Sequence, residues 1–275
     1  MKHSFLDYSY YTQHKADLLA PRGKHCVITG GTGRIGSVFT TYLLDCGNHV
    51  VSMSRSRQKF TEFAETLPLA LQANLHWIEF DLASPKSIQD AQSKISALVS
   101  TVDILINNAA GSNRGANYSY SAESLTKEML AVFGGSMLFT EMLLPSIRAS
   151  TNGLIINVGS IFSHQAPNFE MYLDLDIGPT AMLSCGKAAI MQFSSYLASR
   201  EAKFGVRANT LIPGFFPRKG SVERLDYMDQ IHSKTPLRRI GQLEDLISPV
   251  AFLLSAGSGF YTGQTLIVDG GYSIW

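Results

Sequence analysis

Apolar residues fall along this chain in short blocks separated by longer stretches of mixed pattern. Positions 27–28, 49–53, 76–80, 104–106, 154–158, 207–212 and 265–268 are brief, mostly apolar runs. Runs of this length without strict polar alternation predict strands buried on both faces. Between them, helical patterns cover 37–46, 58–67, 84–99, 125–147, 179–203 and 243–254. Ser84 and Pro85 supply a cap and a first-turn proline for the third of these, and Gly47 suits the end of the first. Strands alternating with helices predict a parallel sheet covered on both faces, the α/β doubly wound Rossmann-type fold. Residues 1–22 are tyrosine-rich and aperiodic and read as an N-terminal extension. Residues 23–275 carry no repeat or linker and read as one dinucleotide-binding domain.

The first strand feeds a glycine-rich turn, Thr29-Gly30-Gly31-Thr32-Gly33-Arg34-Ile35-Gly36, and the turn feeds a helix. Gly31, Gly33 and Gly36 have the G-x-G-x-x-G spacing. Glycine permits the tight turn and lets a pyrophosphate approach the backbone at a helix N-terminus. A Walker-type loop would need lysine at position 37, where the chain has Ser37, so a dinucleotide is favoured over a nucleoside triphosphate.

Composition narrows the picture. Of 275 residues, 45% are hydrophobic and 16% charged, which supports a large core and argues against disorder. A formal net charge of +1 gives no nucleic-acid footprint and no polybasic membrane face. The seven histidines show no metal-ligand spacing. Cys26, Cys46 and Cys185 have no C-x-x-C spacing and read as buried free thiols of a reducing compartment. No signal-peptide core and no bilayer-length apolar run is evident, so the expectation is a cytoplasmic protein that is not membrane-bound.

Several stretches then line up in order: the glycine turn, Asn107-Asn108-Ala109-Ala110-Gly111, Asn157-Val158-Gly159-Ser160, Lys187-Ala188-Ala189, Pro213-Gly214, Thr262-Gly263-Gln264 and Val268-Asp269-Gly270-Gly271. From about Gly23 to Tyr272 the chain resembles the short-chain dehydrogenase/reductase family. The resemblance implies hydride transfer between a nicotinamide cofactor and a carbonyl/alcohol pair, including sugar or nucleotide-sugar derivatives. The implied cofactor residues are Gly30, Thr32, Gly33, Arg34, Ile35, Gly36, Ser54, Arg55, Asp81, Leu82, Asn108, Ala109, Ala110, Lys187, Pro213 and Gly214. No Asp or Glu lies between Gly47 and Thr61 to bind the 2′-hydroxyl of NAD, and Arg55 and Arg34 suit the 2′-phosphate of NADP. NADP is therefore preferred over NAD.

The implied catalytic set is Ser, Tyr and Lys, often with Asn. Ser160 and Lys187 match the Ser and Lys positions. The Tyr position, four residues before the Lys, is Leu183, and the Asn position is Val132. Tyr172 and His164, between Ser160 and Lys187, are candidate replacements. Two readings stay open: an oxidoreductase with unusual proton transfer, in which Ser160, Lys187 and Tyr172 act, or a catalytically silent NADP-binding subunit. A substrate lid is expected over about 215–234, with Phe215, Phe216 and Tyr227 apolar and Arg218, Lys219, Arg224 and Lys234 basic. The resemblance also implies a homodimer or homotetramer built on the two long helices.

Overall fold

The computed structural model describes residues 20–111, 119–172, 178–217 and 225–274. Seven strands form one sheet: β1 (His25–Thr29), β2 (His49–Ser54), β3 (Leu75–Glu79), β4 (Ile104–Asn107), β5 (Leu154–Val158), β6 (Arg207–Pro213) and β7 (Thr265–Val268). Their order is β3-β2-β1-β4-β5-β6-β7, and every neighbouring pair is parallel. The chain runs outward from β1 to β3, then returns to the other side of β1 with β4. That reversal leaves a crevice at the carboxyl ends of β1 and β4, where this fold class binds ligands.

Helical crossovers join the strands: α1 (Arg34–Asp45), α2 (Arg57–Glu65), α3 (Pro85–Leu98), α4 (Ala122–Met129), α5 (Gly135–Arg148), α6 (Ala181–Glu201), α7 (Leu225–Lys234) and α8 (Ile247–Leu254). Cys26 and Ile28 of β1 pack on one face with Phe39, Leu43 and Leu44 of α1 and Val250 of α8. Val27 packs on the other face with Ile88 of α3, Phe139 and Leu143 of α5 and Leu197 of α6. Successive strand residues thus serve opposite cores, which is why the strands are apolar without alternation. Each such buried side chain contributes about 1.5–3 kcal/mol. A third cluster, Ile161, Met171, Tyr172, Ile212, Met228, Ile231 and Tyr272, lies beneath α7.

Three expectations change. The helix anticipated over 125–147 is interrupted by a π-helical turn, Leu130–Gly134, between α4 and α5. There the Gly111 N–H donates to the Ala131 carbonyl at 3.1 Å, and Gly135 passes so close to the Leu82 carbonyl that a Cβ would collide with it. Together this path, Ala122–Arg148, is 27 residues long and apolar enough to cross a bilayer by length and composition, contrary to the sequence expectation. In the fold α5 instead buries Phe139, Leu143, Leu144 and Ile147. Of the three cysteines only Cys26 is buried; Cys185 is exposed because it sits on the outer side of α6. Residues 1–19 of the expected extension, and Arg218, Lys219 and Arg224 of the expected lid, lie outside the described residues.

Candidate active site

The glycine turn closes the crevice at its β1 side. Gly30 has φ +65°, a left-handed conformation that costs an L side chain energy, and its N–H donates to the Met53 carbonyl of β2 at 2.6 Å. Gly31 packs against Ser52 Oγ, 2.6 Å from where a Cβ would stand. Gly36 leaves no room for a Cβ because the Gly30 carbonyl and the Asn108 side chain lie against it. Gly33 is the N-cap of α1 and brings no side-chain hydrogen bond, and the first turn carries no acidic residue. The helix therefore presents backbone N–H groups and the positive dipole end to an anion. This cradle fits a pyrophosphate. Thr32, Arg34 and Ile35 are half-buried around it.

The remaining expected cofactor residues line the same sheet edge. Thr29 is in register with Asn107, and Asn107 with Asn157, so the β1, β4 and β5 ends align. Asn108 Nδ2 donates to the Thr29 and Gly30 carbonyls at 3.0 Å each, so this amide braces the turn from the β4 side. Ala109 N–H donates to Thr29 Oγ1 at 3.1 Å, and Ala110 is exposed. At the end of β2, Ser54 accepts from Trp77 Nε1 and Arg55 is exposed. Asp81 accepts from the Ala83 N–H in a strand-end turn, with Leu82 buried beside it. Pro213 ends β6, and the Gly214 N–H donates to the Val268 carbonyl at 2.9 Å. A Cβ on Gly214 would meet the Asp269 backbone at 2.6 Å.

The chemistry-bearing pair lies at the β5 end. Ser160 caps a short 3-10 turn, accepting from the Phe162 N–H at 3.2 Å, which leaves its own hydroxyl proton for another acceptor. Lys187 is buried on α6, and its Nζ donates to the Val158 carbonyl at 2.6 Å. Burial pulls its pKa down from the ordinary lysine value to about 8. Leu183 precedes Lys187 by one helical turn. Val132 lies in the π-helical turn, buried, with its Cγ1 2.6 Å from where a Cβ of Gly186 would stand. Both positions where the resemblance expects polar groups thus hold apolar side chains.

Tyr172 sits in the cluster beneath α7, its ring 5.8 Å from that of Tyr227, and His164 is exposed. Three polar residues missed by sequence reasoning converge on the first turn of α6. Thr180 caps the helix through Oγ1, which accepts from the Leu183 N–H at 3.1 Å and donates to Glu128 Oε1 at 3.0 Å. Tyr120 Oη accepts from the Met182 N–H at 3.1 Å. Glu128 is 4% exposed. In sequence Glu128 stands with Glu123 and Lys127 on a polar α4, so no local signal marks it out. Among the described residues no group of three or more His, Cys, Asp or Glu side chains could hold a metal ion.

Residues 33–273 match the family described as enoyl-(acyl carrier protein) reductase. The chain is 27% identical over 267 residues to gluconate 5-dehydrogenase of Gluconobacter oxydans, covering 94% of this chain and 98% of that protein. Its fold resembles the crystal structure of a gluconate 5-dehydrogenase from Burkholderia cenocepacia in complex with NADP and tartrate. The TM-score is 0.82 and the identity 27%, over 95% of this chain and all of that one. It also resembles a short-chain dehydrogenase from Leptospira borgpetersenii with bound NAD+. There the TM-score is 0.79 and the identity 25%, over 99% of both chains. Family match, sheet order and glycine cradle agree: the chain belongs to the short-chain dehydrogenase/reductase family of NAD(P)-dependent oxidoreductases.

Proposed function

We propose that this protein binds NADP(H) and interconverts the alcohol and carbonyl forms of a small polyhydroxylated substrate, a sugar or sugar-acid derivative. The observation that carries the reading is the buried Lys187 held at the Val158 carbonyl, two residues before Ser160, on the sheet edge that bears the glycine cradle. The cradle residues Gly30 to Gly36 would hold the pyrophosphate, and Lys187 the nicotinamide ribose. Arg55 and Arg34 would hold the 2′-phosphate, because a guanidinium pairs with phosphate and no Asp or Glu between Gly47 and Thr61 competes for a hydroxyl there. When bound, the nicotinamide supplies hydride chemistry. Ser160 donates its hydroxyl proton to the substrate oxygen, and the Lys187 ammonium favours negative charge developing beside it. The gluconate 5-dehydrogenases among its relatives support the substrate class.

A second reading is favoured by Leu183 and Val132: an NADP-binding subunit that does not turn over. On either reading the apolar residues left exposed on α4, α5 and α6, namely Leu125, Met129, Leu138 and Tyr196, support a homo-oligomer. Fluorescence titration with NADPH and NADH, followed by assay of NADP+ reduction with D-gluconate, D-sorbitol and glycerol, tests both. Tighter NADPH binding with turnover abolished by Lys187→Ala supports the enzyme. NADPH binding without turnover supports the subunit, and absence of binding defeats both.

A further inference from the structure

Removal of a proton from an alcohol needs an acceptor, and Leu183 cannot be one. Few buried ionisable groups among the described residues could serve. Glu201 is bound by Arg148 and Arg200 in the last turn of α6, far along the helix from Leu183. Cys26 lies inside β1 under α1. Lys187 already donates to Val158 and, when charged, has no lone pair.

Glu128 differs from all of these. It sits on α4, four residues before Val132, and Val132 packs against Gly186 of α6. Its Oε1 accepts from Thr180, whose same oxygen accepts the Leu183 N–H. Its Oε2 is buried and meets no hydrogen-bond donor among the described residues. Ser184 Oγ, one turn from Thr180 on α6, is also buried and without a hydrogen-bond partner among the described residues. A buried carboxylate oxygen left unbonded is costly, so this one calls for a donor. Thr180 directs that carboxylate toward the end of α6 that carries Leu183.

We propose that Glu128 is the catalytic base of this protein, receiving the substrate hydroxyl at Oε2 in place of the missing phenol. This rests on the oxidoreductase reading above. In alcohol oxidation the O–H bond breaks and its proton passes to Oε2. The C–H bond breaks with its electron pair, which leaves as hydride to the oxidised nicotinamide, and the carbon–oxygen double bond forms. Thr180 keeps Oε1 bonded and so leaves Oε2 to the substrate.

The test compares wild type with Glu128→Gln, Glu128→Asp, Tyr120→Phe and Tyr172→Phe in the same NADP+ assay with D-gluconate, D-sorbitol and glycerol. It adds NADPH titration and thermal unfolding. Glu128→Gln is expected to lower kcat by about a hundredfold or more, with NADPH binding unchanged. Its Tm should be equal to or above that of wild type, because a neutral amide is cheaper to bury than a lone carboxylate. Glu128→Asp should retain part of the rate, and Leu183→Tyr should restore activity to Glu128→Gln. A purely structural Glu128 would lower the Tm and leave kcat within about threefold; that result overturns the proposal. So does loss of turnover in Tyr120→Phe or Tyr172→Phe with Glu128→Gln active. Wild-type protein that binds NADPH but oxidises none of the three alcohols overturns the proposal together with the oxidoreductase reading. Persistent turnover in Glu128→Gln overturns the proposal alone.

Discussion

Lys187 Nζ lies 2.6 Å from the carbonyl oxygen of Val158, in the last position of β5. An ammonium has three protons to donate, and this is the single hydrogen bond the described residues give it. The group is buried where its charge is poorly solvated. Such a site is costly to the empty protein and useful to a ligand bearing hydroxyl groups.

That cost sets a pH dependence. Lys187 is held at about 8 in the fold, while the unfolded chain keeps the ordinary lysine value near 10.5. Between those values the unfolded chain binds more protons, so this group makes stability rise with pH across that window. Urea unfolding at pH 7, 8.5 and 10 should show wild type gaining on Lys187→Met by about 1–3 kcal/mol. A gap that stays constant with pH contradicts the assignment. The same variant should bind NADPH at least tenfold more weakly.

Gly36 faces the Gly30 carbonyl and the Asn108 amide with no space between. Gly36→Ala should force the turn apart, lowering stability by about 1–3 kcal/mol and weakening NADPH binding more than tenfold. Gly47→Ala is the control. It also carries a positive φ, +79°, but has open space around it. It should cost stability through backbone strain while leaving NADPH affinity intact.

Arg55 stands exposed after the last residue of β2, and Asp or Glu is absent from that stretch. Arg55→Ala should weaken NADPH binding about tenfold, or about 1.4 kcal/mol, and leave NADH unchanged. The NADPH preference of the wild type should also shrink as salt is raised, because an exposed ion pair is screened. Equal losses for both cofactors would remove Arg55 from the 2′-phosphate site.

Glu201 is fully buried and bonded by Arg148 Nε at 2.6 Å and Arg200 Nε at 2.6 Å. The hydrogen bond from Arg148, aided by Arg200, holds its carboxyl below the usual range against the opposing effect of burial. Its stabilisation is therefore present above the ordinary glutamate value and is lost as acid protonates it. Glu201→Ala strands the Arg148 guanidinium and leaves Arg200 with Glu141 as its remaining carboxylate partner, and should cost about 3 kcal/mol. Glu141→Ala removes only the outer, half-exposed partner of Arg200 and should cost about 1 kcal/mol or less. Guanidinium chloride unfolding of both variants checks the contrast.

The elements legible in the sequence were those with a local cause. β5 and β7 are uninterrupted enough to be bounded to the residue, and Ser84 with Pro85 marks the start of α3 because cap and first turn are adjacent in the chain. The π-helical turn at Leu130–Gly134 left no such trace, since its partners Gly111 and Leu82 come from other loops. The site shows the same division. The glycine turn, Ser160 and Lys187 could be placed by order and spacing. The Glu128–Thr180 bond joins residues 52 positions apart and could be found only once α4 lay against α6. Asn108, expected among the cofactor residues, also donates its side-chain Nδ2 to the Thr29 and Gly30 carbonyls, 79 and 78 positions earlier, a bracing role that spacing alone does not show.

The Asn108 brace has a consequence for how a nucleotide would arrive. A turn pinned from β4 and from β2 is already in one shape before any phosphate reaches it. The conformational entropy of ordering Gly30 to Gly36 is then lost on folding rather than on binding, so affinity is set by contacts made to a preorganised surface. Association should be a single fast step without a slow isomerisation of the loop. Loosening Asn108 would register first as a slower, two-phase approach, ahead of any change in the contacts themselves.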